Sequence, residues 1–203
     1  MTIKAHLLLA LACLSSAALA APETFDFKDP KGVNNATFKL DAPLEALSGN
    51  ATGIAGTVTF DPAAPAATTG KIVVASSSMH VGNPMQQQHM LSDKWMDAAK
   101  FPEISFEVKE LKNVKTSGDA TTADATGTFT LKGISKEVTA PVKFTYLKDK
   151  LSQRVPNQKG DLLVIRSTFT IKRSDFGIMP GQMEEKVSDT IELTLSIAGA
   201  SPR

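Results

Sequence analysis

The sequence predicts an all-β domain of eight or nine strands, closed as a barrel or packed as a sandwich, with one or two short helices. Three observations carry that expectation. Apolar residues alternate with polar ones at period two in run after run, the signature of strands with one buried and one wet face. The intervening stretches are rich in Gly, Pro, Asp, Thr and Ser, which punctuate rather than extend structure. Apolar periodicity of the helical kind is scarce, and this many short strands favour a barrel or sandwich.

The first element is not part of the fold. Lys4 precedes an apolar run of 14 residues from Leu7 to Ala20, and Ala18-Leu19-Ala20 fits the small-x-small pattern of a signal-peptide cleavage site. The run is short of the ~20 apolar residues that a membrane span needs, and Ser15 and Ser16 interrupt it. We therefore read 1–20 as a cleaved export signal and 21–203 as one domain. Ala10-Leu11-Ala12-Cys13 loosely resembles a lipoprotein processing box, which would leave Cys13 lipidated, but the apolar core before it is unusually short.

The strands follow in order. An opening strand lies around Phe25, then come Ala36, Phe38 and Leu40, Val58 and Phe60, and Ile72 to Ala75. Ile104, Phe106 and Val108 alternate with Ser105, Glu107 and Lys109. Phe129 and Leu131 lead through Gly133 to Val138, Ala140, Val142, Phe144 and Tyr146, so 131–138 reads as a tight hairpin. Two long runs end the chain: Leu163, Ile165, Ser167, Phe169, Ile171, and Ile191, Leu193, Leu195, Ile197. Segments 61–70, 113–127 and 148–161 read as connectors. Asn83 as N-cap and Pro84 at the first helical position announce a helix over the following MQQQHML, and Ser92 to Asp97 could make a second short turn.

Composition narrows the function. With 42% hydrophobic and 21% charged residues the chain is an ordinary globular protein, neither collagen-like, disordered nor disulfide-dense. Lys+Arg at 22 against Asp+Glu at 21 offers no basic field for nucleic acid. Removing 20 of the 203 residues takes Lys4 and Cys13, leaving a neutral, Cys-free domain of 183 residues that must be stable by burial alone. Catalytic equipment is thin: two histidines beyond the signal, no G-x-S-x-G, no H-E-x-x-H. Glu184-Glu185 sits in a loop beside Lys186, and the Gly-rich stretch at 49–56 lacks the Lys and the following helix of a phosphate loop. An enzyme is not expected, nor a cofactor or a resident metal.

One segment is compositionally unusual. Between residues 79 and 96 lie Met79, Met85, Met90 and Met96, four of the six methionines beyond the signal, together with His80 and His89. Such soft ligands make a periplasmic copper-binding protein the alternative reading, although no i, i+4 spacing aligns the two histidines. Otherwise Met supplies deformable apolar surface around a gap or a cavity mouth.

Several motifs in order resemble one family. His89, Ser92, Trp95, Asp97 and the run Lys100-Phe101-Pro102-Glu103-Ile104-Ser105-Phe106 are similar to a passage of the YceI-like family that reads HLxSxxFFDxxKFPEIxF. Gly127 to Gly133 followed by Val138 resembles its hairpin, Ile171 to Gly177 its IxRSDFG signature, Asp189 to Ile197 its final strand, and Gly56 to Pro62 fits as well. The resemblance spans about residues 53–198. It implies an extended, eight-stranded antiparallel lipocalin-like barrel in the periplasm, holding a long-chain isoprenoid or similar amphiphile, such as a quinone or polyprenol derivative, for transport, storage or sequestration. No nucleic acid and no stable membrane span are implied, and the oligomeric state, a homodimer included, is left open.

On that reading the candidate lumen residues are Trp95, Met96, Phe101, Phe106, Phe129, Phe144, Phe169 and Phe176, with His89 and Arg173 as head-group candidates. Plain core packing is the competing role for the phenylalanines, and a turn-forming role for Arg173 to Gly177. The chain departs from the family at Asp29 to Asn34, which lack the usual His, at Gln86-Gln87, which replace an Arg-Asp pair, and at Trp95-Met96, which replace an aromatic pair. These departures imply a head-group preference different from that of members binding phosphorylated isoprenoids.

Overall fold

A computed structural model describes residues 21–203. The export signal read at 1–20, with Cys13 inside it, lies outside the described residues. Eleven strand segments follow: β1 (Glu23–Asp26), β2 (Asn35–Asp41), β3 (Ala46–Ala51), β4 (Ile54–Phe60), β5 (Thr69–Ala75), β6 (Met79–Val81), β7 (Glu103–Ser117), β8 (Ala120–Leu131), β9 (Ile134–Leu147), β10 (Gly160–Lys172) and β11 (Thr190–Pro202). Two short helices, α1 (Pro84–Leu91) and α2 (Leu151–Arg154), complete the order.

The eleven segments make eight strands. The ring β1-β4-β5-β7-β8-β9-β10-β11 closes where Asp26 pairs with Ala200, and all its pairings are antiparallel. β2 carries the line of β1 further along β11, β3 runs into β4, and β6 continues β5, so the first three strands are each broken once. Closure removes every sheet edge from the ring, which decides between barrel and sandwich.

The breaks have visible causes. Between β1 and β2 the chain loops out, and Asn34, 1% exposed, satisfies the backbone there: its amide donates to Phe27 O (3.0 Å) and Ala198 O (3.1 Å) and accepts from Ala198 N (2.9 Å). Between β5 and β6 a tight turn at Ser76–Ser78 ends the pairing with β7. Ser76 is buried there, its hydroxyl donating to Phe101 O (2.8 Å) and its N–H to Pro102 O (2.8 Å). Below that turn β6 and β7 no longer touch as strands, and α1 with residues 92–100 occupies the space. Asn83 caps α1 as its sequence predicts, accepting from Met85 N (2.9 Å) and Gln86 N (3.2 Å).

Three details differ from the sequence reading. The supposed connector 113–127 is mostly strand, because β7 and β8 meet at a two-residue turn, Gly118-Asp119. Its inward positions are Ala123, Ala125 and Gly127, too small to announce a strand. A Cβ on Gly127 would lie 2.7 Å from the Phe106 ring, so the ring takes the space. β3 was hidden likewise: Gly49 faces Phe38, whose ring would meet an added Cβ at 2.3 Å. The second helix is α2 in the 148–161 excursion, whereas Ser92 ends α1, its hydroxyl donating to His89 O (2.6 Å). The 131–138 hairpin forms as expected, with Lys132 (φ 49°) and Gly133 (φ 74°) both left-handed, the pattern of a type I′ turn.

The barrel is filled at one end only. Phe25, Phe27 and Phe60 are buried there, Phe60 stacks on Phe144 at 5.4 Å, and Leu151 of α2 is fully buried. Polar groups seal the outside of this end. Asp29 accepts from Arg154 (2.9 Å), while Asp161, fully buried, accepts from the Tyr146 hydroxyl, the Arg203 guanidinium and Asp149 N (2.8 Å). Burial alone would raise the Asp161 pKa, but those three donors together hold it below the ordinary carboxylate value. Glu23 beside it is raised, by burial first and then by the Asp161 charge.

Candidate functional site

The unfilled half of the barrel is a cavity of about 1080 Å³. Its walls follow the strand alternation: Ile72 and Val74 from β5, Ile104, Phe106 and Val108 from β7, Phe129 and Leu131 from β8. Val142 and Phe144 from β9, Ile165, Phe169 and Ile171 from β10, and Leu193 and Leu195 from β11 complete the circuit. Small side chains keep it wide towards the floor, where Ala36, Ala125 and Ala140 line it above the Phe60–Phe144 stack. Many of these apolar residues, Ile104, Phe106, Phe169 and Leu193 among them, are only half-buried, because they border space rather than one another.

The mouth lies between the β2–β3 turn, α1 with its following turn, and the loop 178–189. Glu45, Asp93, Lys94 and Lys186 are the exposed charges on it, and Met85 and Met183 are exposed beside them. The turn and the loop are tied together by Leu44 N donating to Glu185 O (2.9 Å). α1 itself buries none of its residues. Gln87 fastens it, donating to Met79 O (2.7 Å) and accepting from Val81 N (2.8 Å).

Six of the eight lumen candidates line the cavity: Trp95, Met96, Phe106, Phe129, Phe144 and Phe169. Phe101 does not. It lies outside the wall, its ring over Gly133, where an added Cβ would be 2.4 Å from Cε1, and the Lys100 ammonium sits 5.2 Å from its centroid. Phe176 also stands behind the lining, 1% exposed and edge-on to Phe129 at 5.5 Å. His89 reaches the mouth from the last turn of α1. Lining residues outside the candidate set include Phe38 and Leu40 of β2 and Met179 and Met183 of the 178–189 loop. Phase along β2 could have found the first two.

Arg173 borders the cavity, but its guanidinium is committed elsewhere. It is 1% exposed, Nε donates to Ser188 O (3.2 Å), and Nη1 to Ile178 O (2.8 Å) and Met179 O. Nη2 donates to Val187 O (3.1 Å) and Gln182 O, so all five N–H donors of the side chain go to carbonyls of one loop. Asp189 completes the staple by accepting from Ser174 N (2.9 Å) and the Ser174 hydroxyl (2.8 Å). The RSDFG motif is thus the clasp of the mouth loop, ending at Gly177 in the left-handed region (φ 65°). Arg173 pairs with backbone carbonyls, so it has no donor to spare for the head group for which it was a candidate.

The departures from the family sort the same way. Asp29 and Asn34 belong to the closed end and do not border the cavity. Gln86 lines it, while Gln87 is used up in fastening α1. The copper alternative loses a ligand: His80 is exposed on the face of β6 opposite Met79 and Val81, so it does not converge with the cavity methionines.

A family profile described as the YceI-like domain matches residues 29–198. A UPF0312 protein of Pseudomonas paraeruginosa is 32% identical over 145 residues, which is 71% of this chain and 69% of that one. BcnA of Burkholderia cenocepacia superposes with a TM-score of 0.63 at 21% identity, over 81% of this chain and 94% of its own. A polyisoprenoid-binding domain from Saccharophagus degradans, implicated in plant cell wall breakdown, superposes with a TM-score of 0.63 at 12% identity, over 90% of this chain and all of its own. The two structures share the fold of this chain.

Proposed function

The chain belongs to the YceI-like family, and from that premise we propose that it binds a long isoprenoid-type amphiphile in the barrel lumen, for transport, storage or sequestration and without catalysing a reaction. The observation that carries this reading is an apolar cavity sealed at one end, with its exposed charges confined to the mouth. Each methylene taken from water contributes about 0.8 kcal/mol, so such a lumen holds a chain without a charged anchor. The description of the Saccharophagus structure as a polyisoprenoid-binding domain supports the same class of ligand.

The cavity also suggests a size. An apolar cavity of about 150 Å³ accommodates benzene, so about 1080 Å³ corresponds to roughly 40 carbons, or about eight isoprene units. With Arg173 committed to the loop backbone, and Lys94 and Lys186 at the mouth offset by Glu45 and Asp93, a quinone ring or a hydroxyl suits the mouth better than a phosphate. The signal-like pattern at 1–20 supports export to the periplasm.

Native mass spectrometry of the exported protein, followed by organic extraction, tests the proposal. We expect a bound polyprenol or quinone, or uptake of ubiquinone by the delipidated protein. A protein that is empty and takes up neither ubiquinone nor polyprenols overturns it. The same spectra read the oligomeric state and, from the mature mass, cleavage after Ala20 or a lipid on Cys13.

A further inference from the structure

All six methionines among the described residues, Met79, Met85, Met90, Met96, Met179 and Met183, line this one cavity. Residues of comparable hydrophobicity are not so concentrated: five of the ten phenylalanines line it and the rest pack elsewhere. Exposure grades the methionines from the outside in. Met85 is 67% and Met183 50% exposed at the mouth, Met79, Met90 and Met179 are half-buried, and Met96 is 6% exposed.

We propose that these methionines are a set of oxidation sites through which a two-electron oxidant such as hydrogen peroxide lowers the affinity of the lumen for its apolar ligand. The inference rests on the lumen reading above. In the step itself a thioether sulfur attacks one peroxide oxygen, an S–O bond forms, the O–O bond breaks and the second oxygen leaves as water. The sulfur loses two electrons and the peroxide gains them. The product is a sulfoxide, a polar and strongly accepting group where a flexible apolar side chain had been.

The consequence depends on depth. Sulfoxides at Met85 and Met183 remain in contact with water and change little. At Met79, Met90 and Met96 the new oxygen faces the volume that the ligand chain fills, where Ile104, Phe106, Phe129 and Leu193 offer no donor and the Trp95 indole N–H is a single donor for three sulfoxides. Burying an unpaired polar oxygen against a hydrocarbon chain opposes binding. A bound chain in turn covers the wall sulfurs, so loaded protein is oxidised at the rim and empty protein throughout.

The test uses the full delipidated protein, graded hydrogen peroxide, peptide-mapping mass spectrometry and titration with the apolar fluorophore N-phenylnaphthylamine. Met85 and Met183 should gain oxygen first and Met96 last, and preloading with a polyprenol of eight isoprene units should slow Met79, Met90 and Met96 but not the rim. Oxidation at all six should weaken fluorophore binding by roughly tenfold or more. The combined variant Met79→Leu, Met90→Leu, Met96→Leu has no sulfur in the wall, so its affinity, measured against its own untreated form, should change by less than about twofold through the same treatment. Fully oxidised protein that binds within twofold of the reduced form overturns the proposal, as does a Leu variant that loses binding as the parent does. Reduced protein that takes up neither fluorophore nor polyprenol fails the lumen reading instead, before any oxidant is added.

Discussion

Replacing Arg173 by Met separates a clasp from a ligand anchor. The side chain is 1% exposed and spends its five donors on the carbonyls of residues 178, 179, 182, 187 and 188. A hydrogen bond to a charged partner contributes about 1.5–3 kcal/mol net, but five such values do not add, because part of the loop is wet and water takes over the outer carbonyls. Met at this position leaves five neutral carbonyls without their donor, at about 1–3 kcal/mol for each that stays out of water, so a net loss of about 3–5 kcal/mol is expected. In a domain of this size each kcal/mol shifts Tm by about 2–4 °C, so we expect a fall on the order of 10 °C. Hydrogen exchange gives the local view: the amides of Leu44 and Val187, bonded to Glu185 O and Met183 O, should lose protection ahead of the closed-end strands. Affinity for the lumen ligand should drop by a similar factor for a neutral polyprenol and for its phosphate. A variant with unchanged Tm and unchanged loop protection, binding the neutral chain normally and the phosphate poorly, would refute the clasp and restore Arg173 as a head-group residue.

Across polyprenols of increasing length, affinity measured by competition with N-phenylnaphthylamine should climb up to about eight isoprene units and then level off, since further units stay in water; a continuous rise would mean that the lumen has no floor. Gln87→Ala removes both bonds holding α1 to β6, so stopped-flow release of the fluorophore should accelerate by roughly tenfold, and an unchanged rate would show that the ligand leaves past another element. Glu23 has a raised pKa, so its favourable contribution is complete below the ordinary Glu value and is lost as pH rises through its folded value; Glu23→Gln should therefore exceed the parent in Tm at pH 7, with the gap closing near pH 4. Asp161 has the opposite sign, its contribution being present at neutral pH and lost on acidification, so Asp161→Asn should lower Tm at pH 7 and matter little in strong acid.

Sequence legibility followed side-chain size. Where the inner face carries Ile165, Phe169 and Ile171, or Leu193, Leu195 and Ile197, period-two alternation exposes the strand at once. Where a large ring lies over the neighbouring strand, that strand must answer with Ala or Gly, and alternation vanishes, as at Gly49 under Phe38 and at Ala123, Ala125 and Gly127 in β8. The same phase could have excluded Phe101. Ile104, Phe106 and Val108 put even numbers inside, and Phe101 precedes the strand on the odd phase, against Gly133 on the outer side. Arg173 was harder, because it shares the inward phase of Phe169 and Ile171 and does border the lumen. Its donors are decided by a loop that folds back from up to 15 residues later, and no local pattern shows that.

The pattern that hid these strands also shapes the lumen. Aromatic side chains from two of the broken strands, Phe25 with Phe27 just beyond it and Phe60, and from β9 fill the end where every strand pairs with its neighbour, and a full ladder gives them a rigid frame. At the other end Ser76 turns β6 away from β7, and a helix with no buried residues replaces the missing ladder. A backbone that unpaired could not tolerate a close-packed core, since packing to native density requires walls that do not move. Methionine tolerates it, because an unbranched thioether adapts its rotamers to the space left. Four of the six methionines among the described residues accordingly sit on β6, α1 and the turn after it, and the other two on the facing loop. On the binding proposed above, chain length is read against a fixed aromatic floor, while the methionine mouth adapts to the width of whatever follows the chain.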